Sequence, residues 1–430
     1  MLTIAGWNFP VHSQTFVYQE MSSLAAAGFD LHMAYSGRGA GWELDDAFRG
    51  LDQAKVWLAS APAVARRELE NWRRRDPDRL AEVIVDLASA SGLEPDQVQN
   101  HCDFGRGLLF ARLAEDLGAH YLHSYFFYEG SLACFVAARL LDLPRGMTCY
   151  ADHQLDDYAL KAVRLQLAEA SLVVATSQRV RDELQALAPE IDAGRLLVKP
   201  NAVDGRRFSP VPRRPPSGSR PLRLLSVCRL EPKKGLPTLL EAVAQLPFPW
   251  RLRLVGGRDG GAPDHAAELQ RQAEHLGIVQ QVDFLGAQPT TGVYRELTEA
   301  DVFVAPYAAT TSGDKDGIPT SLMEAMATAL PVVATREGSI AELVTHDHDG
   351  LLVPARDPRA LAAALTLLQS DPDRRHRLAE AAAETIRRGF DVRVCEPLFH
   401  RRLHALLSGT GALDHYRQGE AIEEPADGKE

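Results

Sequence analysis

GDKDGIPTSLMEAMATALPVVATREGSIAELV, residues 313–344, is the stretch whose reading decides the fold of this chain. Two carboxylates, Asp316 and Glu324, stand eight positions apart, with Gly317 and Pro319 between them. Apolar periodicity predicts a helix carrying Glu324, a strand over Pro331–Thr335 and a short helix over Ser339–Val344. Gly317 gives the loop freedom to bend. Pro319 suits a first helical position, where its missing N–H costs nothing. The N–H groups at such a helix start have no partner within the helix and can hold an anion. Loop, helix start and strand together suit a charged, hydroxyl-rich ligand. The plain competitor is an amphipathic helix with a solvated Glu324.

Working outward, SVCRLEPKKG (Ser226–Gly235) is the second informative segment. A strand is predicted to end at Val227, a helix to start after Gly235, and the loop between them carries Arg229, Lys233 and Lys234. An arginine and a lysine on a strand-end loop suit a diphosphate, whose departure as a leaving group they would ease. A generic basic loop is the alternative.

The alternation around these segments predicts two α/β units, each a parallel sheet covered by helices. In the first, strands are expected at Leu2–Gly6, Leu31–Tyr35, His120–Tyr125, Met147–Ala151, Leu172–Thr176 and Leu196–Lys199. Thr15–Ala27 is expected to be helical and stopped by Gly28, and 62–117 mainly helical. SPVPRRPPSGSRP (209–221) has no apolar period and reads as a linker. Strands then recur at Leu222–Val227, Arg251–Gly256, Val282–Gly286, Asp301–Pro306, Pro331–Thr335 and Gly350–Val353. The expected organisation is a first domain over 1–208, the linker, a second domain over 222–390, a helix over 391–407 returning toward the first domain, and a disordered tail from 408. Such sheets bind ligands at the carboxyl ends of their strands.

Composition bounds the partners. With 430 residues, 45% hydrophobic and 24% charged, the chain is ordinary for a soluble multidomain protein. Its net charge of −11 argues against general nucleic-acid binding. No apolar run reaches the ~18 residues of a membrane span, and MLTIAGWNFPVHS shows no secretory pattern. Five scattered cysteines without a CxxC pair point to reduced thiols and a cytoplasmic location. RRELENWRRRDPDR (66–79) holds six arginines around Trp72. It reads as a solvated helix face, or as a basic patch with an aromatic anchor for peripheral contact with the cytoplasmic membrane face.

The two segments quoted first resemble the donor-binding region of retaining glycosyltransferases of family 4. The resemblance implies a GT-B fold: two Rossmann-like, doubly wound α/β domains facing across a cleft. It implies transfer of a sugar from a nucleotide-diphosphate sugar to a hydroxyl of a sugar, lipid-linked or small-molecule acceptor, without metal or other cofactor. Arg229 and Lys234 then grip the diphosphate. Asp316, where the family usually has glutamate, meets the sugar hydroxyls, with Gly317, Ile318, Pro319 and Thr320 beside it, and Glu324 meets the ribose. VDFLGA (282–287) matches a family strand whose following loop borders the base, which implies Leu285, Gly286 and Gln288. KPNAVDGRRFSP (199–210) resembles the interdomain segment, with Ala202 in place of the usual glycine. FPVHSQTF (9–16) resembles the subgroup that makes bacterial exopolysaccharides, of the colanic-acid type, and implies His12, Ser13 and Thr15 on the acceptor side; Ser13 or Thr15 could equally cap a helix. In MTCYADH (147–153) Tyr150 stands where relatives carry a sugar-binding histidine, and His153 lies three positions on.

Other constellations carry less. His346 and His348 flank Asp347 in a predicted turn, His400 and His404 share a helix face, and His120 and His123 read as strand-end residues. There is no GxxxxGK[ST] loop, and no GxGxxG follows the first strand. Two rivals to the transferase reading are a GT-B-type nucleotide-sugar epimerase and a non-catalytic nucleotide-sugar-binding protein.

Overall fold

The computed structural model describes residues 1–4, 6, 8–9, 14–37, 46–58, 61–150, 158–160, 162–212, 220–257, 264–311, 313 and 315–408. Two parallel sheets organise them. The first holds β1 (Leu2–Ile4), β2 (His32–Tyr35), β3 (Lys55–Trp57), β4 (Leu122–Tyr125), β5 (Arg145–Cys149), β6 (Leu172–Ala175) and β7 (Leu196–Val198), in the order β3-β2-β1-β4-β5-β6-β7. The second holds β8 (Leu222–Val227), β9 (Trp250–Val255), β10 (Val282–Gly286), β11 (Val302–Ala305), β12 (Val332–Thr335) and β13 (Leu351–Val353), in the order β10-β9-β8-β11-β12-β13. The strand order reverses between β1 and β4 and again between β8 and β11. Each reversal leaves a crevice at the carboxyl ends of the strands. Central strands such as β6 (LVVA) and β12 (VVAT) are buried throughout, as strands covered on both faces must be.

β4 is buried in the same way without being apolar. Its sequence is LHSY, yet all four residues are buried. His123 is an interior residue of the strand rather than a strand-end one. Its ring bonds Tyr121 Oη at 3.0 Å and Thr148 Oγ1 at 2.9 Å. Burial lowers its pKa to about 4, so the ring is neutral at pH 7. Thr148 in turn donates to Glu20 at 3.3 Å. Glu20, on the helix Thr15–Ala26, lies 2.6 Å from Lys199 Nζ, and Lys199 lies 3.1 Å from Glu396. All three charged side chains are 2% exposed. Burial works against the Lys199 ammonium, but the two carboxylates outweigh it and raise its pKa. Burial also opposes charge on Glu20, where Lys199 prevails and holds the carboxyl low; on Glu396 burial prevails and pushes it up.

Glu396 belongs to the last helix, Val392–Ser408, whose Phe399, Leu403 and Leu407 pack with Leu24, Tyr121, Leu172 and Val174 of the first domain. The chain therefore leaves the first domain and returns to it. Both crossings run side by side: Val203 N–H donates to Phe390 O at 2.9 Å, and Val392 N–H to Val203 O at 3.1 Å. Val203 and Phe208 are already core residues of the second domain. The crossover thus precedes 209–221, and the first domain stops short of the expected 208. Proline-rich composition marks a segment with no core of its own, and its described ends are bonded to the second domain: Val211 N–H donates to Thr328 O, and Arg220 forks onto Asp301 at 2.6 and 2.7 Å.

The arginine-rich stretch forms the helix Pro62–Arg75 and continues into Pro77–Ser91. Trp72 is 4% exposed within the first domain's core, so it is not a surface anchor. Helical spacing turns it inward with Leu69, while Arg75 stacks 4.5 Å above its ring and pairs with Glu115. Among the described residues no helix is long and apolar enough to cross a membrane.

Removing one partner of a buried ion set leaves uncompensated charge. Lys199→Met is expected to lose about 3–5 kcal/mol of stability, read by chemical denaturation. Adding Glu20→Gln to that variant should recover part of the loss.

Candidate active site

At the end of β8 the chain turns through Arg229 and a short 3-10 turn, Pro232–Lys234, into the helix Leu236–Val243. Gly235 joins the two at φ 64°, and a Cβ there would lie 1.9 Å from the carbonyl oxygen of Pro306, just beyond β11. Only glycine allows both this backbone and this approach. The result sets Lys234 against the end of the neighbouring strand. Its Nζ lies 4.6 Å from the ring centroid of Tyr307 and 2.7 Å from Asp316 Oδ2. Lys233 reaches Asp316 at 4.0 Å. Arg229 forms an ion pair with Glu231.

Asp316 sits on the loop before the helix Thr320–Ala327. Pro319 is the N-cap residue of that helix, one position outside it, and no side chain caps the helix. Ser321 Oγ donates to Val227 O at 2.6 Å, which ties the helix start to the end of β8. Gly317 does not use a left-handed backbone. The glycine that shapes this turn is Gly338, at φ 57°, where a Cβ would lie 2.1 Å from Asp316 O. No local pattern in the sequence couples Gly338 to Asp316.

Glu324 lies one turn into the helix and is half-buried. Among the described residues no donor bonds its carboxylate. Burial pushes its carboxyl up to about 8, with Arg207 opposing. Leu285, Gly286 and Gln288 lie at the same edge of the sheet, where β10 ends. Gln288 Nε2 donates to Leu285 O at 2.9 Å, and Gly256 N–H, after β9, donates to Gly286 O at 2.9 Å. Arg229, Lys234, Asp316, the 317–320 turn, Glu324 and the 285–288 loop thus gather at the carboxyl ends of β8–β11.

The first domain meets this edge. Tyr150 directly follows β5, and its carbonyl oxygen lies 3.9 Å from the site of a Cβ on Gly317. Its ring packs on Phe16 at 4.7 Å and Phe126 at 4.9 Å between centroids. Phe126 holds φ 68°, a conformation uncommon for a bulky residue and found where structure overrides local preference. Thr15 is the first helical residue. Gln14 is the N-cap, so Thr15 is not the cap. His12, Ser13 and His153 lie outside the described residues.

Among the described residues one cluster has metal-ligand chemistry: His101, Cys102 and Asp103 at the start of the helix Cys102–Asp116. Asp103 is already bonded by Arg106 at 2.8 Å and Tyr158 at 3.1 Å. His346 and His348 lie in the turn before β13, and Arg374 pairs with Asp347 there. His400 is bonded to Ser23 and stacked near Phe29.

Residues 212–385 match the sequence profile of the family described as glycosyl transferases group 1. WcaL of Escherichia coli (strain K12), named for colanic acid biosynthesis, is 27% identical over 417 residues, 93% of this chain and 97% of its own length. The D-inositol 3-phosphate glycosyltransferase of Kineococcus radiotolerans is 31% identical over 383 residues, 78% of this chain and 85% of its own. The crystal structure of HepE (Alr3699) of Anabaena with UDP and glucose matches with a TM-score of 0.72, covering 94% of this chain and 99% of that one at 18% identity. The architecture is GT-B.

The raised Glu324 pKa has a consequence for stability. Between about pH 4.5 and about pH 8 the folded protein keeps a proton that the unfolded chain has released. This contribution is present at low pH and is lost as pH rises through about 8. Glu324→Gln, neutral throughout, should lose less melting temperature than the wild type between about pH 5 and about pH 9. A pH series of thermal melts checks this.

Proposed function

The chain belongs to the glycosyltransferase group 1 family, and on that premise we propose that it moves a sugar, with retention at the anomeric carbon, from a nucleotide-diphosphate sugar to an acceptor hydroxyl. The observation that carries the reading is the Lys234–Asp316 contact at 2.7 Å. It puts a cation for a leaving diphosphate and a carboxylate for sugar hydroxyls on adjoining atoms, where the strand order of the second sheet reverses and the first domain approaches.

In this reading Arg229 and Lys234 stabilise the diphosphate as its bond to the anomeric carbon breaks. The transition state has oxocarbenium character, and the departing oxygen accepts the proton of the acceptor hydroxyl. The two cations supply the charge, so the reaction is assigned no metal. Asp316 binds sugar hydroxyls beside Gly317, Ile318, Pro319 and Thr320. Glu324 binds the ribose, and Leu285, Gly286 and Gln288 border the base. Tyr150 and His153 face the transferred sugar, and His12, Ser13 and Thr15 the acceptor. Closure between the domains excludes water. Likeness to WcaL supports a role in bacterial polysaccharide or glycoconjugate synthesis. The assigned compartment is the cytoplasm, at the inner membrane face where the acceptor is lipid-linked.

A thermal-shift screen of UDP-, GDP- and dTDP-sugars, followed by transfer assays, tests the proposal. Stabilisation by none of them, with no transfer, would remove it. Epimerised sugar and free nucleotide without an acceptor would make the protein an epimerase. Binding without turnover would make it a binding protein.

Lys234→Ala removes a charge-assisted contact worth about 1.5–3 kcal/mol. Calorimetry should show the selected nucleoside diphosphate binding about 10–150-fold more weakly. Tyr150→Phe keeps the ring packing and removes only the hydroxyl. It should leave donor affinity nearly unchanged while lowering turnover, the pattern of a contact made mainly in the transition state. Steady-state kinetics beside donor titration separates the two effects.

A further inference from the structure

A second set of interdomain contacts lies apart from the paired crossings. The helix Gln178–Leu187 of the first domain begins at Ser177, whose hydroxyl caps it and meets Ser339 Oγ of the second domain at 2.7 Å. The first free N–H groups of that helix are taken by an acid of the other domain. Glu342 accepts from Gln178 N at 2.7 Å and from Arg179 N at 3.0 Å. The Arg179 side chain, 17% exposed, spreads its fork over three partners. Nε donates to Ser339 Oγ at 3.0 Å, Nη1 to Glu183 at 2.7 Å and Nη2 to the carbonyl oxygen of Asp316 at 3.0 Å. Lys315, beside Asp316, reaches Glu183 at 3.3 Å.

Asp316 is therefore held at both ends. Its carbonyl is bonded by the first domain and its carboxylate by Lys234 of the second. We infer that Arg179 is a positioning residue of the sugar-nucleotide site: from across the cleft it fixes the Asp316 loop, so that the site is complete only while Glu342 and Ser339 keep the domains together. The inference rests on the proposed function for what the site binds, but not for how the loop is held. Glu183 neutralises the guanidinium, so the role of Arg179 is geometric rather than a supply of charge to a ligand. Lysine cannot reproduce a planar fork that serves Ser339 and Asp316 at once.

The test uses the full chain carrying Arg179→Met or Arg179→Lys. In the ligand-free proteins, hydrogen exchange of peptides spanning 313–322 should rise several-fold over the wild type. Peptides of β5, β6 and β11 should be unchanged, and the melting temperature should stay within ~2 °C. With the donor selected in the screen, turnover should fall about 10–100-fold, as small misplacements in active sites do. Affinity for UDP, or for the diphosphate that binds, should stay within about threefold of the wild type. The lysine variant should resemble the methionine variant despite its charge. Unchanged exchange over 313–322 in both variants overturns the inference. So does an equal loss of nucleotide affinity and turnover, which would make Arg179 a ligand contact. If no donor is turned over by the wild type, the functional reading fails, and the exchange measurement still decides the role of Arg179.

Discussion

Everything in this architecture depends on a buried ammonium between two buried carboxylates. Lys199 directly follows the last strand of the first sheet, Glu20 comes from the first helix and Glu396 from the helix that ends the described chain. None of these charges could be desolvated alone, because the loss of hydration would exceed any packing gain. Together they can be, and only when the final helix lies against the first domain. The fold thus closes by electrostatic necessity as well as by the apolar contacts of Phe399 and Leu403. His123, kept neutral by burial, extends the network through Thr148 into a strand that would otherwise be apolar.

The candidate site follows the same rule with a different outcome. Its cations are paired within the protein, Lys234 with Asp316 and Arg229 with Glu231, in a chain whose overall charge is −11. Pairing orients these cations in the absence of ligand. In the proposed reading, a diphosphate entering such a site exchanges one set of charge-assisted contacts for another rather than meeting bare charge. Tyr150, Phe16 and Phe126 form an aromatic wall on the facing domain, held in part by the left-handed backbone at Phe126.

The doubly wound sheets and the loop–helix–strand around Asp316 were legible in the sequence because their signals are local. Apolar period, strand-end glycines and a proline at a helix start all act within a few residues. Lys234 and Asp316 stand out in separate segments, and the fold brings them into contact. What stayed hidden depends on distance along the chain. Arg179 meets Glu342 across 163 positions, and nothing near either residue points to the other. Gly338, not Gly317, carries the positive φ that shapes the Asp316 turn, because a neighbouring segment's carbonyl sets that requirement. His123 was misread as a strand end because LHSY lacks the apolar run of a buried strand. Six arginines surround Trp72 in sequence and give it the look of a surface anchor, although helical spacing turns it inward. Proline-rich composition points to a crossover at 209–221, whereas Val203 and Phe208 already serve the second core.

The side-by-side crossings at Val203 and Asp391 make the second domain an insertion within the first. The first domain is discontinuous in sequence: a fragment ending near residue 200 would lack the helix that supplies Glu396, Phe399 and Leu403. The second domain is one uninterrupted segment whose two ends are hydrogen-bonded neighbours. A segment of that kind is a cassette. It can be exchanged between related chains by joining at two adjacent points, leaving the first domain and its buried ion set intact while the second is replaced whole.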